Sequence, residues 1–353
     1  MKNIELLWLK GKLEEKEKVE KVHVPFTGLK ITMSSMEERA AWVRLPSAMH
    51  YQMLLAELAP YLPDHNALSK CAQLQFDLFF FILNSGLSLN KIKDFLFVDG
   101  IPLPYSTLHD CFDKILDGFA RWGRSKVKFL STEEWLHDLS PIYENEKYMA
   151  YRKHYFIFVD GTIIQTFDSS DCEGSRSLWN VKHKCPSFIF FVMVTPTGRI
   201  VYLSEQMCNG KMHDKTHFER EKVGEKLEER YKEEELEDGW TFAIGGDKGY
   251  PFISIPKGWK LYITKSGENS KDVNEEGVES GEPIKKAKAE HVVLDPGIAR
   301  LRGVVERVIG RIKSWEIFAS KYYCSNVKRV KKLVEIVCGI INWSFEMQII
   351  EKL

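Results

Sequence analysis

The chain lacks several features that would have placed it quickly. Its seven cysteines include no CxxC pair, which excludes a zinc ribbon and leaves no disulfide framework; the pattern is that of a reduced, intracellular protein. Neither charge is in excess, since 50 Lys and Arg meet 50 Asp and Glu. A uniformly basic nucleic-acid coat is thereby excluded, although a neutral sum can hide local patches. Long hydrophobic runs are missing. The most apolar, LFFFIL from Leu78 to Leu83, is far too short to cross a bilayer. The opening MKNIELLWLKGKLEEKEKVEK turns charged too early for a signal peptide. The expectation is a protein that is neither secreted nor membrane-bound. No internal repeat is visible. What is present, 353 residues with 44% hydrophobic content, suffices for one large domain with a smaller one, or for a single elaborated domain.

Residues 1–64 form a poorly defined N-terminal segment with one helix expected at Ala48–Leu58. Residues 65–150 read as helical. Apolar positions at helical spacing run from Leu68 to Leu83, Asn84–Gly86 stops that helix, Ser88 can cap a second over Leu89–Leu96, and a third spans Ser106–Trp122 after the turn VDGIPLP. Three helices on short turns suit a helix-turn-helix module with Ser106–Lys114 as recognition segment, or else a plain three-helix scaffold. Strands begin at Tyr155: YFIFVD and TIIQTF as adjacent runs, then the hairpin PSFIFFVMVTPTGRIVYLS, then WTFAIGGDKGY and WKLYIT. Between them HDKTHFEREKVGEKLEERYKEEELED reads as one charged surface helix. Residues 266–290 are polar and read as a mobile loop. Helices at Pro296–Phe318 and Val327–Ile349 close the chain. The order of strands and helices over 151–353 suggests an α/β or α+β layer with helices on the sheet faces.

Two strands end alike. In YFIFVDGT an apolar run meets Asp160 and then glycine, and in FAIGGDKGY the same happens at Asp247. A third carboxylate, Glu306, stands among Val304, Val305, Val308 and Ile309 on a late helix. Three oxygen donors around one point suit Mg2+ or Mn2+, which accept carboxylates while keeping positions open for water and phosphate. Arg302, Glu306 and Lys313 fall within about 40° of each other on that helix, so one face offers a carboxylate flanked by cations, as a phosphate backbone passing a metal would need. Surface Glu–Arg pairing explains the same face more simply. From Pro296 to Leu333 there are ten Lys or Arg against two Glu, including Arg311, Lys328 and Arg329. That is an electrostatic footprint for nucleic acid. His213 and His217 lie four apart but lack the partner motif of a zinc site, which favours a structural role.

FIFVDGT, IFFVMVTPTGRIVYLS, NGKMHDKTHF, GGDKGY and RGVVERVIGRIKSW occur in an order that resembles the DDE transposases, most of all the PIF/Harbinger-like and bacterial IS5-like groups. The likeness covers roughly residues 65 to 345. It departs from the pattern where Ala299 takes the place of a signature tyrosine, and the 59 positions between Asp247 and Glu306 exceed the usual spacing by about the length of loop 266–290. The resemblance implies an RNase H-like core in which Asp160, Asp247 and Glu306 form the catalytic, metal-binding triad with two Mg2+ or Mn2+ ions. It implies that Arg302 and Lys313 contact DNA, and that a helix-turn-helix does so through Ser106, Thr107 and Lys114; Arg311, Lys328 and Arg329 of the basic stretch are further candidate DNA contacts. Asp214, in HDKTHF, belongs to a recurrent family motif. Further expectations are transposon-end and target DNA as partners, a homodimer or higher oligomer, a separate end-recognition protein, and location in the nucleus of a eukaryote or the cytoplasm of a bacterium. The alternative is a domesticated relative that binds DNA or a protein without catalysis.

Overall fold

The computed structural model describes residues 36–352 except 43–44, 64–71, 94–96, 99–100, 103, 140–141, 143, 145, 167–176, 237, 248, 251–252, 264–291, 295–297 and 321–322. The segment before Met36 and the polar loop read at 266–290 lie outside the described residues. The chain divides into a helical unit, made of the residues up to Lys126 with those from Ser314 onward, and a sheet unit from Val127 to Lys313. The boundaries read from the sequence, after residues 64 and 150, differ from these.

The helical unit begins with α1 (Met36–Trp42), α2 (Ala48–Leu58), α3 (Ala72–Ser85) and α4 (Leu89–Lys93). A minimal antiparallel pair, β1 (Phe97–Val98) with β2 (Ile101–Pro102), precedes α5 (Tyr105–Lys126). The side chain of Ser47 accepts from His50 N–H and starts α2 where the sequence places it. In α3, Phe76, Phe79, Phe80, Ile82 and Leu83 are all fully buried, so this helix is apolar on more than one face and lies inside its unit. Helix α5 instead buries a single stripe, Leu108, Cys111, Phe112, Ile115, Phe119 and Trp122, at the three- and four-residue spacing of one helix face.

The sheet unit opens with α6 (Thr132–Asp138), closed by a capping box between Ser131 and Glu134. It continues through β3 (His154–Gln165), β4 (Trp179–Asn180), β5 (Cys185–Val194), β6 (Ile200–Leu203), β7 (Cys208–Asn209), α7 (Asp214–Arg220), α8 (Val223–Tyr231), β8 (Thr241–Gly246), β9 (Lys260–Ile263), β10 (Val292–Leu294) and α9 (Ile298–Lys313). Strand order is β10-β9-β8-β3-β5-β4, with β6 and β7 also on β5. The four strands from β10 to β3 are parallel, β5 runs antiparallel to β3, and β4, β6 and β7 run antiparallel to β5. Tyr155–Val159 and Pro186–Val194 are buried without a break, as central strands covered on both faces must be.

Two local expectations are corrected. YFIFVD and TIIQTF are one strand, because β3 changes neighbours instead of ending: it pairs with β8 as far as Phe158↔Gly245, and with β5 from Phe158↔Val194 to Gln165↔Ser187. The charged stretch after His213 is two helices, broken at Lys222, whose φ is +53°. The break turns Glu221 inward, where its carboxylate accepts from Tyr202 O–H at 2.7 Å and from the N–H groups of Glu205 and Gln206 at 2.9 and 2.8 Å.

Helix α10 (Val327–Lys352) belongs to the helical unit and packs along α5. Close approach is permitted by Gly123, where a Cβ would overlap the Glu335 carbonyl oxygen. Beside it Arg124 donates to the buried Glu335 carboxylate through Nε and Nη2 at 3.2 and 3.1 Å, a bidentate pair.

One buried histidine makes the sheet unit acid-sensitive. His154 is hydrogen-bonded to the Tyr262 hydroxyl at 3.0 Å, stacks on Phe156, and has Lys260 Nζ at 3.5 Å. Burial, then the Lys260 cation, lower its pKa from 6.5 to about 4. The unfolded chain therefore binds the extra proton between these values. This contribution to stability is present above pH 6.5, is lost as pH falls through 4, and amounts to about 3 kcal/mol. Chemical denaturation of wild type and His154→Gln across this range should show a shallower pH slope in the variant; identical slopes would refute the assignment.

Candidate active site

Asp160 stands two residues past Phe158, the last partner of β8, and Asp247 two residues past Gly245. Both aspartates follow the same apolar register and emerge where the two strands part. Within β3, Asp160 and Thr162 alternate onto one face, and α9 meets that face: Arg302 Nη1 donates to Asp160 Oδ2 at 3.2 Å, and Lys313 Nζ to Thr162 Oγ1 at 3.4 Å. The helix face read from the sequence is thus the face turned to the strand, while Leu301, Val304, Val305, Val308 and Ile312 bury the rest.

Glu306 is oriented differently from the aspartates. Its Oε1 accepts from Arg302 Nη2 at 2.5 Å, and its side chain is 57% exposed against 18% for Asp160. Arg302 therefore bridges Asp160 and Glu306, with its own Nε buried and unpartnered among the described residues.

A further carboxylate at the strand fork is that of Asp214, the first residue of α7. A Cβ on Gly161 would overlap Asp214 Oδ1, and one on Gly249 would stand 2.8 Å from Asp247 Oδ1 and 3.6 Å from Asp214 Oδ2. Glycine at 161 is thus the space that Asp214 fills. Helix α7 is held in place by the fully buried His217, whose Nε2 lies 3.0 Å from Gln206 O and 3.2 Å from Glu221 Oε1. The histidine pair of HDKTHF has the structural role expected for His217; His213 is the residue before the helix.

Burial raises the Asp160 carboxyl to about 6, with Arg302 opposing and Asp247 and Asp214 adding to the rise. Asp214 is raised as well, by burial and then by Asp247, with Lys182 opposing. Among the described residues no three His, Cys, Asp or Glu side chains surround one point closely enough to ligate a metal as they stand. The donor set nonetheless fits a hard divalent cation in kind, being carboxylate oxygen throughout.

The remaining candidates separate by unit. Arg311 is exposed on α9. Ser106 and Lys114 are exposed and Thr107 half-buried on α5, and Lys328 is exposed at the start of α10, all in the helical unit. Arg329 pairs with Asp113 at 3.4 Å and Lys332 with Asp117, so part of the basic stretch is neutralised within its own unit. Sequence reasoning left Asp214 without a role and overlooked Lys182 and Tyr250. The available signals were the glycine after Asp160, which needs a close neighbour, and the aspartate opening a helix.

Gly161→Ala should force the Asp214 carboxylate out of its place and destabilise the sheet unit by about 1–3 kcal/mol. Adding Asp214→Ala should recover most of that loss in urea unfolding, because the second change removes the clash. Additive losses would mean that the two residues do not meet.

No described helix is long and apolar enough to cross a membrane. No curated protein and no solved structure matches the chain. The family model described as DDE superfamily endonuclease matches residues 159–342, from the strand that carries Asp160 to the last helix. With more than half of its length matched, the chain belongs to the DDE superfamily endonuclease family.

Proposed function

We propose that the protein is a DDE transposase, or an endonuclease derived from one, of PIF/Harbinger-like or IS5-like type, cutting and joining DNA phosphodiester bonds at the β3–β8 fork. The observation that carries this reading is the meeting of Asp160 and Asp247 where two parallel strands part, with a cationic helix face alongside. The strand arrangement supports an RNase H-like core: antiparallel β5 and β6 on one side of β3, parallel β8 and β9 on the other.

In this reading Asp160 and Asp247, with Glu306 once it leaves Arg302, hold two divalent cations, Mg2+ or Mn2+. Such ions supply activation of a water or a DNA 3′-hydroxyl and stabilisation of the leaving oxygen. The chain's own contribution is charge placement. Arg302 and Lys313 offer cations along one helix face to a passing phosphate backbone, and Arg302 can exchange its carboxylate partners for phosphate. Ser106, Thr107 and Lys114 on α5 supply the DNA contacts of a helix-turn-helix, and Arg311, Lys328 and Arg329 add cations of the C-terminal basic stretch. Transposon ends and target DNA are the substrates, a homodimer or higher oligomer is the working form, and a separate protein contributes end recognition.

The ion pairs of Arg302 with Asp160 and Glu306 favour a second reading, a domesticated relative that binds DNA or a protein without cutting. Calorimetry and nicking separate the two. Wild type should bind Mn2+ and Asp160→Ala should not. Glu306→Gln should lower metal-dependent nicking by several orders of magnitude while leaving metal-free DNA affinity intact. Lys313→Ala should weaken DNA binding by about 1 kcal/mol with Mn2+ affinity unchanged. A wild type that binds DNA but neither binds Mn2+ nor nicks supports the second reading.

A further inference from the structure

Tyr250, in the GGDKGY block, is fully buried. Its hydroxyl has no hydrogen-bond partner among the described residues. Burial first, and then the charges of Asp214, Asp160 and Asp247, raise its phenol far above the ordinary range, with Arg302 opposing. The charges of all three aspartates thus reach the hydroxyl, and none of them hydrogen-bonds it. A buried hydroxyl left unpaired costs about 1–3 kcal/mol, and folded proteins satisfy such groups with water or an ion. The ring has little freedom to turn elsewhere. A Cβ on Gly246 would stand 3.1 Å from Tyr250 Cβ, and Phe218, on the same short helix as Asp214, meets the ring edge-on at 6.4 Å.

Asp214 is equally committed. It fills the space above Gly161 and approaches Gly249, and the buried His217–Glu221 contact fixes its helix. Burying a third carboxylate beside two others is unfavourable unless a cation joins them. Lys182 and Arg302 supply part of that charge from outside the cluster.

We propose that Asp214 is a third carboxylate donor to the divalent-cation site at Asp160 and Asp247, and that the Tyr250 hydroxyl hydrogen-bonds a water carried by that cation. The inference rests on the metal-dependent reading above and adds two residues to it. Tyr250 is a positioning residue, since it acts through the water. Outer partners of this kind typically change metal affinity 10–100-fold when removed.

The test uses Mn2+ as probe on the full chain, with calorimetric titration, water-proton relaxation by bound Mn2+, and thermal unfolding in chelator. Wild type should bind Mn2+. Tyr250→Phe should bind about 10–100-fold more weakly, with altered water relaxation, yet unfold in chelator no earlier than wild type, because the hydroxyl it removes was unpaired. Asp214→Asn should weaken Mn2+ binding at least as much. Wild-type affinity and relaxation in Tyr250→Phe, or wild-type affinity in Asp214→Asn, overturns the inference while leaving the Asp160–Asp247 reading in place. A wild type that binds no Mn2+ overturns both, and that result is seen before any variant is made.

Discussion

The guanidinium of Arg302, set between Asp160 and Glu306, is the contact on which the edge of the sheet unit depends. Three half-buried aspartates gather where β3 and β8 part. Like charges in such a place repel, and desolvation penalises each further. A cation on α9 offsets both effects and ties the helix to the strand that carries Asp160. Arginine suits this better than lysine, because its planar fork reaches two carboxylates at once and cannot lose its charge.

That contact also explains why Glu306 differs from the aspartates. It sits one turn beyond Arg302, so the shortest path for the arginine's second nitrogen is to its own helix neighbour. The result is a half-exposed glutamate joined to Asp160 only through Arg302, while Asp214 occupies the inner position. The carboxylates near the fork are thus drawn from the middle of β3, the end of β8 and one helix start, elements whose placement depends on packing rather than on chain proximity.

In the helical unit charges have a different use. Arg124 and Lys331 converge on the buried Glu335, Arg329 meets Asp113, and Lys332 meets Asp117. These pairs join α5 to α10 or brace one turn of α10. A basic run read along the chain is therefore partly an acid–base seam between two helices. The more exposed pairs, Arg329–Asp113 and Lys332–Asp117, are worth little individually, but they reduce the net field that a phosphate backbone would feel.

By itself the sequence determined most of the elements and the type of chemistry. The apolar runs before Asp160 and Asp247 become parallel strands in matching register, Ser47 starts α2 where expected, and the face bearing Arg302 and Lys313 is readable from helical geometry, because these signals are local. Tertiary structure alone decided which groups meet. That β3 passes from β8 to β5 without ending, that Glu221 turns inward and breaks a helix, that Val327–Lys352 joins the N-terminal helices, and that Asp214 rests against Gly161 all depend on contacts between residues far apart in the chain. A pattern of periodicity carries no information about such contacts, since a carboxylate opening a helix looks the same in sequence whether it meets solvent or other buried carboxylates.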